Sequence, residues 1–175
     1  MSVQSVRDIA FFKNIKEVRE CEFGVFYFFD GLVISEVKEG VVFNWSMAQK
    51  IISVAYEVIG KDVPIAYISN RINTYSVVPA DWLKFYIHRH QLEFYSVVSQ
   101  NKSGFASLIL EKIFFRNGIQ QFSKLEDAIE WSMAKIAKKK DFWLKSKRNL
   151  LLFKLYISKF NSPVPHGLKP NVSFH

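Results

Sequence analysis

Two short runs of aromatic and β-branched residues, at positions 22–29 (EFGVFYFF) and Leu32–Val37 (LVISEV), stand near the start of the chain. Only Asp30 and Gly31 separate them, and this pair tolerates the positive φ angles of a two-residue turn. The pattern therefore predicts a β-hairpin. Residues 9–18 mix apolar and charged positions without a clear period, so the sequence leaves open whether an edge strand precedes the hairpin.

From residue 44 the apolar positions recur every three to four residues, which indicates a helix with one buried face. Asn44 is a typical N-cap and Gly60 a typical terminator. The apolar face comprises Ala48, Ile51, Ile52, Ala55, Val58 and Ile59. Further strands are predicted at 64–69, 92–99 and Ile119–Phe122, and further helices at 79–88, at 103–117 and after the capping box formed by Ser123 and Glu126. Alternating strands and helices of this kind predict an α/β fold.

Composition fits one domain with an appendage, because the 175 residues are 49% hydrophobic and 16% aromatic. The net charge of +8 is confined to the end of the chain. Residues 138–175 hold nine basic side chains and one acid, whereas residues 1–137 hold 15 of each sign. The sequence thus predicts a neutral domain at 1–137 and a basic extension at 138–175.

The extension could form one basic amphipathic helix that lies on an anionic membrane or docks into a groove, or it could bind nucleic acid with Phe142 and Trp143 available for stacking. The alternatives are a helix folded against its own domain and a partly disordered extension. The cations predicted to form the surface of the tail are Lys138, Lys139, Lys140, Lys145, Lys147 and Arg148.

Groups that carry catalysis or bind metals are sparse. Cys21 is the single cysteine, which excludes an intrachain disulfide, and His88 and His90 are spaced so that their rings point apart on a helix. No nucleophile elbow, zinc-protease motif or phosphate loop occurs. We expect neither enzyme activity nor a metal or cofactor. The chain carries no signal segment or bilayer-spanning run, so we also expect a cytoplasmic protein.

A polar loop follows the predicted strand at 64–69. Its hydroxyl, amide and guanidinium groups belong to Asn70, Arg71, Asn73, Thr74, Tyr75 and Ser76. At the carboxyl end of a strand, such groups could bind an anion or the carboxylate of a protein partner. The alternative is a loop whose side chains satisfy its own backbone.

The order of elements and three segments, GVVFNWSMAQKII, PIAYISNRINTYSVVP and FSKLEDAIEWSM, resemble the SpoIIAA-like group of short bacterial proteins related to the STAS domains of anti-sigma-factor antagonists. The resemblance covers residues 22–137. It implies a mixed sheet of four or five strands with helices mainly on one face, a cytoplasmic location, and a regulatory protein-interaction module without chemistry. In phosphorylated STAS domains a serine motif follows the strand that corresponds to 65–69. This chain reads SNRINT there, so no phosphoserine is implied.

The first strand of the hairpin is apolar on both faces, since Phe23, Val25, Tyr27 and Phe29 alternate with Gly24, Phe26 and Phe28. Helices on only one side of the sheet would leave one aromatic face bare. Such a face is normally covered by another element or a second subunit. The sequence therefore predicts that either the basic extension or the partner in a homodimer covers it.

Overall fold

The computed structural model describes residues 4–87, 92–99 and 119–160. The chain divides into two compact units, Met1–Lys140 and Asp141–His175. The strands are β1 Glu17–Cys21, β2 Gly24–Phe29, β3 Leu32–Val37, β4 Val42–Phe43, β5 Ile65–Asn70, β6 Ser76–Val77, β7 Leu92–Val98 and β8 Ile119–Phe122. The α-helices are α1 Trp45–Val58, α2 Trp82–Ile87 and α3 Leu125–Phe160, and the 3-10 turns are Val6–Asp8, Ala10–Asn14 and Pro79–Asp81.

The first unit is built on a mixed six-stranded sheet in the order β1-β2-β3-β5-β7-β8. The first three strands are antiparallel, whereas β3, β5, β7 and β8 run parallel to one another. The two short strands β4 and β6 form a separate parallel pair. The α/β class expected from the sequence is therefore confirmed.

The predicted hairpin is present as β2 and β3. Phe29 pairs with Leu32 across the two-residue turn, where Gly31 has a φ angle of 76°. A Cβ atom on Gly31 would lie 3.0 Å from Cγ2 of Ile136, so both the backbone and the packing favour glycine there. An edge strand does precede the hairpin, as β1, but it spans Glu17–Cys21 and overlaps residues 9–18 only at its first two positions. Residues Ala10–Asn14 of that segment form a 3-10 turn instead.

Helix α1 agrees closely with its sequence pattern. The side chain of Asn44 accepts a hydrogen bond from the backbone N–H of Met47 at 3.1 Å, and Gly60 follows the helix with a φ angle of 109°. The buried face consists of Ala48, Ile51 and Ala55. The predicted helix at 79–88 begins as a 3-10 turn and continues as α2. Its last residue lies outside the described residues, as does the helix predicted at 103–117.

Described elements cover both faces of the sheet. Helix α1 packs against Phe26, Phe28 and Val33, while the N-terminal turns and the first part of α3 cover the opposite face. The sheet also has six strands where the resemblance implied four or five. The sixth is β1, which precedes the segment of resemblance and pairs with the outer side of β2.

The aromatic strand β2 is buried on both sides within its own unit. Phe26 and Phe28 are fully buried on the α1 side, and Tyr27 and Phe29 are 1% exposed on the other. On that second side the ring of Phe11, from the N-terminal turns, lies 4.8 Å from the ring of Phe29. The bare face from which a homodimer was predicted does not exist, because the N-terminal segment occupies it.

The second unit contains the distal part of α3, at residues 141–160. Six apolar side chains described in this part of the helix are exposed, each between 55% and 70%: Phe142, Leu144, Leu150, Leu151, Leu152 and Leu155. Among the residues that the structure describes, no helix has the length and apolarity needed to cross a bilayer.

Candidate interaction surface

The polar loop lies at the carboxyl edge of the parallel strands, between the end of β5 and the start of β6. We call residues 71–75 the β5–β6 loop. Asn70 is the last residue of β5 and Ser76 the first of β6, so the six predicted binding residues fall on the loop and its two ends. This edge is where open α/β sheets place their ligands, because loops from neighbouring strands converge there.

Hydrogen bonds to the end of β3 and to the connection that follows it hold the loop from one side. The amide nitrogen of the Asn73 side chain donates to the carbonyl of Val37 at 2.9 Å. The backbone N–H of Thr74 donates to a carboxylate oxygen of Glu39 at 2.6 Å, and its carbonyl accepts from the N–H of Gly40 at 2.8 Å. These bonds fix the loop in one conformation relative to β3.

The sheet holds the loop from the other side. The backbone N–H of Arg71 donates to the carbonyl of Val98, the last residue of β7, at 2.9 Å. The hydroxyls of Tyr75 and Ser69 form a hydrogen bond of 2.6 Å, and the guanidinium carbon of Arg71 lies 4.9 Å from the centre of the Tyr75 ring. The cation is therefore positioned over an aromatic face.

Asn70 is not part of the accessible surface, which corrects its predicted role in partner binding. It is 1% exposed, and its side-chain amide donates to the carbonyl of Gln4 and to Glu36 Oε1, each at 2.9 Å. Because Asn70 lies on the sheet face covered by the N-terminal segment, its amide bonds inward. Asn73 and Tyr75 likewise bond within the fold, to the Val37 carbonyl and the Ser69 hydroxyl, which both lie outside the loop.

The accessible part of the surface is smaller and less polar than the sequence suggested. Thr74 and Ser76 are exposed and Arg71 is partly exposed. Between them Ile72 is 36% exposed, which places an apolar group beside the guanidinium. Ile72 was not among the predicted binding residues, because that prediction selected polar side chains. The sequence signal for its exposure was its position among turn-forming residues.

Glu36 is a second residue that the sequence did not single out. It is only 6% exposed and accepts four hydrogen bonds, from the Ser5 hydroxyl, the Val6 N–H, the Tyr27 hydroxyl and the Asn70 amide. The signal was an acid inside the otherwise apolar strand LVISEV. Since side chains alternate along strands, Tyr27 and Asn70 share the face of Glu36.

Asp81 connects the segment after β6 to the start of α1. Its carboxylate accepts hydrogen bonds from Lys84 Nζ and from the backbone N–H of Trp45, each at 2.8 Å. The Lys84 ammonium and then the Trp45 N–H lower the pKa of this carboxyl below its usual value. The charged form therefore stabilises the first turn of α1, where an acceptor is also favoured by the helix dipole.

The predicted cations of the tail are divided between the two units. Lys139 and Lys140 belong to the first unit, where they form ion pairs with Glu93 at 3.3 Å and Asp30 at 2.8 Å. The hydrogen bond from Lys140 lowers the pKa of the Asp30 carboxyl. Lys138 is exposed at the end of that unit. The exposed cations of the second unit include Lys145, Lys147 and Arg148, and Lys147 Nζ lies 3.8 Å from the Trp143 ring centre.

Within the described parts of the chain, no three histidine, cysteine, aspartate or glutamate side chains cluster as metal ligands would. His88 and His90 lie outside those parts. Comparisons with protein-family models, with curated proteins and with solved structures found no match to this chain.

Proposed function

We propose that this chain is a non-enzymatic, cytoplasmic interaction module of STAS-like type that presents the β5–β6 loop to a protein partner. One observation carries the proposal: bonds to three other segments hold the loop, while Ile72 and Thr74 are exposed and Arg71 is partly exposed. A loop that is ordered before binding loses little conformational entropy on association, so a small surface can bind specifically.

The chemistry of the surface indicates what the partner offers. The Arg71 guanidinium favours a carboxylate, and its contact with the Tyr75 ring limits the orientations it can adopt. Ile72 adds an apolar contact, and the hydroxyls of Thr74 and Ser76 add neutral hydrogen-bonding groups. We therefore propose a partner segment with an acidic side chain next to an apolar one.

Affinity capture from a lysate of the source organism tests this proposal. Wild-type protein, Arg71→Ala and Lys50→Ala are immobilised at equal density. Lys50 is an exposed cation on α1, so its substitution removes the same charge from another surface. We expect Arg71→Ala to lose a protein that wild type and Lys50→Ala both retain. The same captured proteins for all three would contradict the proposal.

A second candidate function rests on the exposed apolar side chains of the second unit. Leu150, Leu151 and Leu152 are exposed beside Arg148 and Lys154, and nucleic-acid binding has little use for such a run of leucines. Cations mixed with exposed leucines favour attachment to an anionic membrane surface. In this alternative the second unit attaches the protein to the membrane surface. Binding of nucleic acid by the same unit is the competing explanation for its cations.

Sedimentation of the full chain with vesicles separates these alternatives. We expect binding to vesicles that contain phosphatidylserine, little binding to neutral phosphatidylcholine vesicles, and a decline with added salt. Replacing Leu150, Leu151 and Leu152 by serine should abolish this binding. Binding of duplex DNA or RNA with no binding of vesicles would support nucleic acid instead, and binding of neither would contradict this function.

A further inference from the structure

A partly open apolar cavity lies in the first unit, between the sheet and α1. Its volume is about 130 Å³, and its walls also include β4, β6 and α2. Well-packed interiors leave few voids larger than a water molecule, so a space of this size is unusual. We propose that the cavity is a binding site for a compact, neutral aromatic molecule.

The walls determine the charge of the ligand. All seventeen described residues that line the cavity are aliphatic or aromatic, and none carries a charge. Among the described lining residues, none would neutralise a carboxylate or phosphate, so placing such a group against these apolar walls is unfavourable. The polar groups in the walls are the hydroxyls of Tyr56, Tyr67, Tyr75 and Tyr95 and the indole of Trp45. The site therefore takes a neutral ligand with few polar atoms.

The size and the aromatic content of the walls determine the shape of the ligand. An apolar protein cavity of about 150 Å³ remains dry and binds benzene, so this cavity suits a molecule of about one aromatic ring. Eight of the seventeen lining residues are aromatic. Tyr67 and Tyr95 stack with ring centres 5.3 Å apart, and Trp45 meets Phe85 edge-on at 5.4 Å. These rings offer faces and edges against which a flat ligand packs favourably.

The cavity adjoins the interaction surface through one side chain. Tyr75 lines the cavity, while its hydroxyl bonds Ser69 and its ring lies beneath the Arg71 guanidinium. A ligand that displaces the Tyr75 ring would also move the cation of the loop. Ligand binding does not require a protein partner, so a test of this site gives its result independently of the proposed interaction.

Binding to the purified full-length protein tests the site directly. Benzene and indole are titrated while amide chemical shifts and the melting temperature are recorded, with benzoate as the charged control of similar shape. We expect benzene or indole to shift the amides of α1 and β5 and to raise the melting temperature with concentration. Benzoate should do neither.

Variants in which a larger side chain fills the cavity serve as matched controls for ligand binding. Ala48 and Ala55 both line it from α1, and Ala55→Leu or Ala48→Leu would place a larger side chain in the void. Whichever variant retains the wild-type circular dichroism spectrum and a cooperative melt should lose binding. If neither benzene nor indole binds wild type up to its solubility limit, the site is refuted. Equal binding by the filled variants, or by benzoate, would also overturn the proposal.

Discussion

Replacing Glu36 by glutamine is expected to lower the free energy of unfolding by about 3 kcal/mol. Glutamine keeps the shape of the side chain but replaces one acceptor oxygen by an NH₂ group. Each oxygen of Glu36 now accepts two hydrogen bonds, Oε1 from Val6 and Asn70 and Oε2 from Ser5 and Tyr27. With the NH₂ group toward Val6 and Asn70, two N–H donors would face another donor. With it toward Ser5 and Tyr27, their hydroxyls can turn to accept from it, but all four bonds would still lose their charged acceptor.

The environment of Glu36 makes this loss large. A hydrogen bond to a charged group contributes about 1.5–3 kcal/mol and one to a neutral group about 0.5–1.5 kcal/mol, so replacing the carboxylate by a neutral amide weakens all four bonds. Tyr27 remains a donor because burial raises the pKa of its hydroxyl, and the negative charge of Glu36 raises it further. Moreover, these bonds attach the N-terminal segment, and Val6 and Ile9 of that segment lie in the core.

Chemical denaturation of wild type, Glu36→Gln and Glu57→Gln measures the effect. Glu57 is exposed on α1, so its substitution should change the free energy of unfolding by less than about 0.5 kcal/mol. Hydrogen exchange adds a local test, in which the amide of Val6 should lose protection in Glu36→Gln alone. If Glu36→Gln unfolds with the wild-type free energy, the carboxylate does not hold the N-terminal segment.

Elements with local signals could be predicted well from the sequence. The turn at Asp30 and Gly31 and the helix between Asn44 and Gly60 each combine a capping or turn residue with a clear apolar period, and both lie where the pattern placed them. Local signals act over a few residues, so they do not depend on how distant parts of the chain meet.

The layers of the fold depend on distant contacts and were predicted less well. The N-terminal 3-10 turns have no helical or strand period, yet Val6 and Ile9 complete the core on one face of the sheet. The direction in which side chains at the loop point also depends on contacts with residues distant in sequence. Asn70 faces inward because Glu36, 34 residues earlier, accepts its hydrogen bond. No pattern within the loop itself contains this information.

The apolar cavity was also beyond the reach of the sequence. Its walls come from α1, α2 and six strands that are separated along the chain. Each lining residue by itself has the pattern of an ordinary core position. A void appears only when the side chains of these elements are placed in three dimensions, because it depends on their combined volume.

Site-specific photo-crosslinking in living cells of the source organism tests the central claim, that the β5–β6 loop contacts a protein partner. A photoreactive phenylalanine analogue replaces Ile72 in one protein and Glu57 in another. Both positions are exposed, but only Ile72 lies on the loop. The circular dichroism spectrum of each protein shows beforehand that the fold is retained.

We expect irradiation to give a discrete adduct from position 72 and none of that mass from position 57. Because Arg71 is proposed to bind the carboxylate of the partner, adding Arg71→Ala to the protein labelled at 72 should reduce the adduct strongly. A loop-specific adduct that depends on Arg71 would support contact between this loop and a protein partner. No adduct from position 72, or the same adduct from positions 72 and 57, would contradict it.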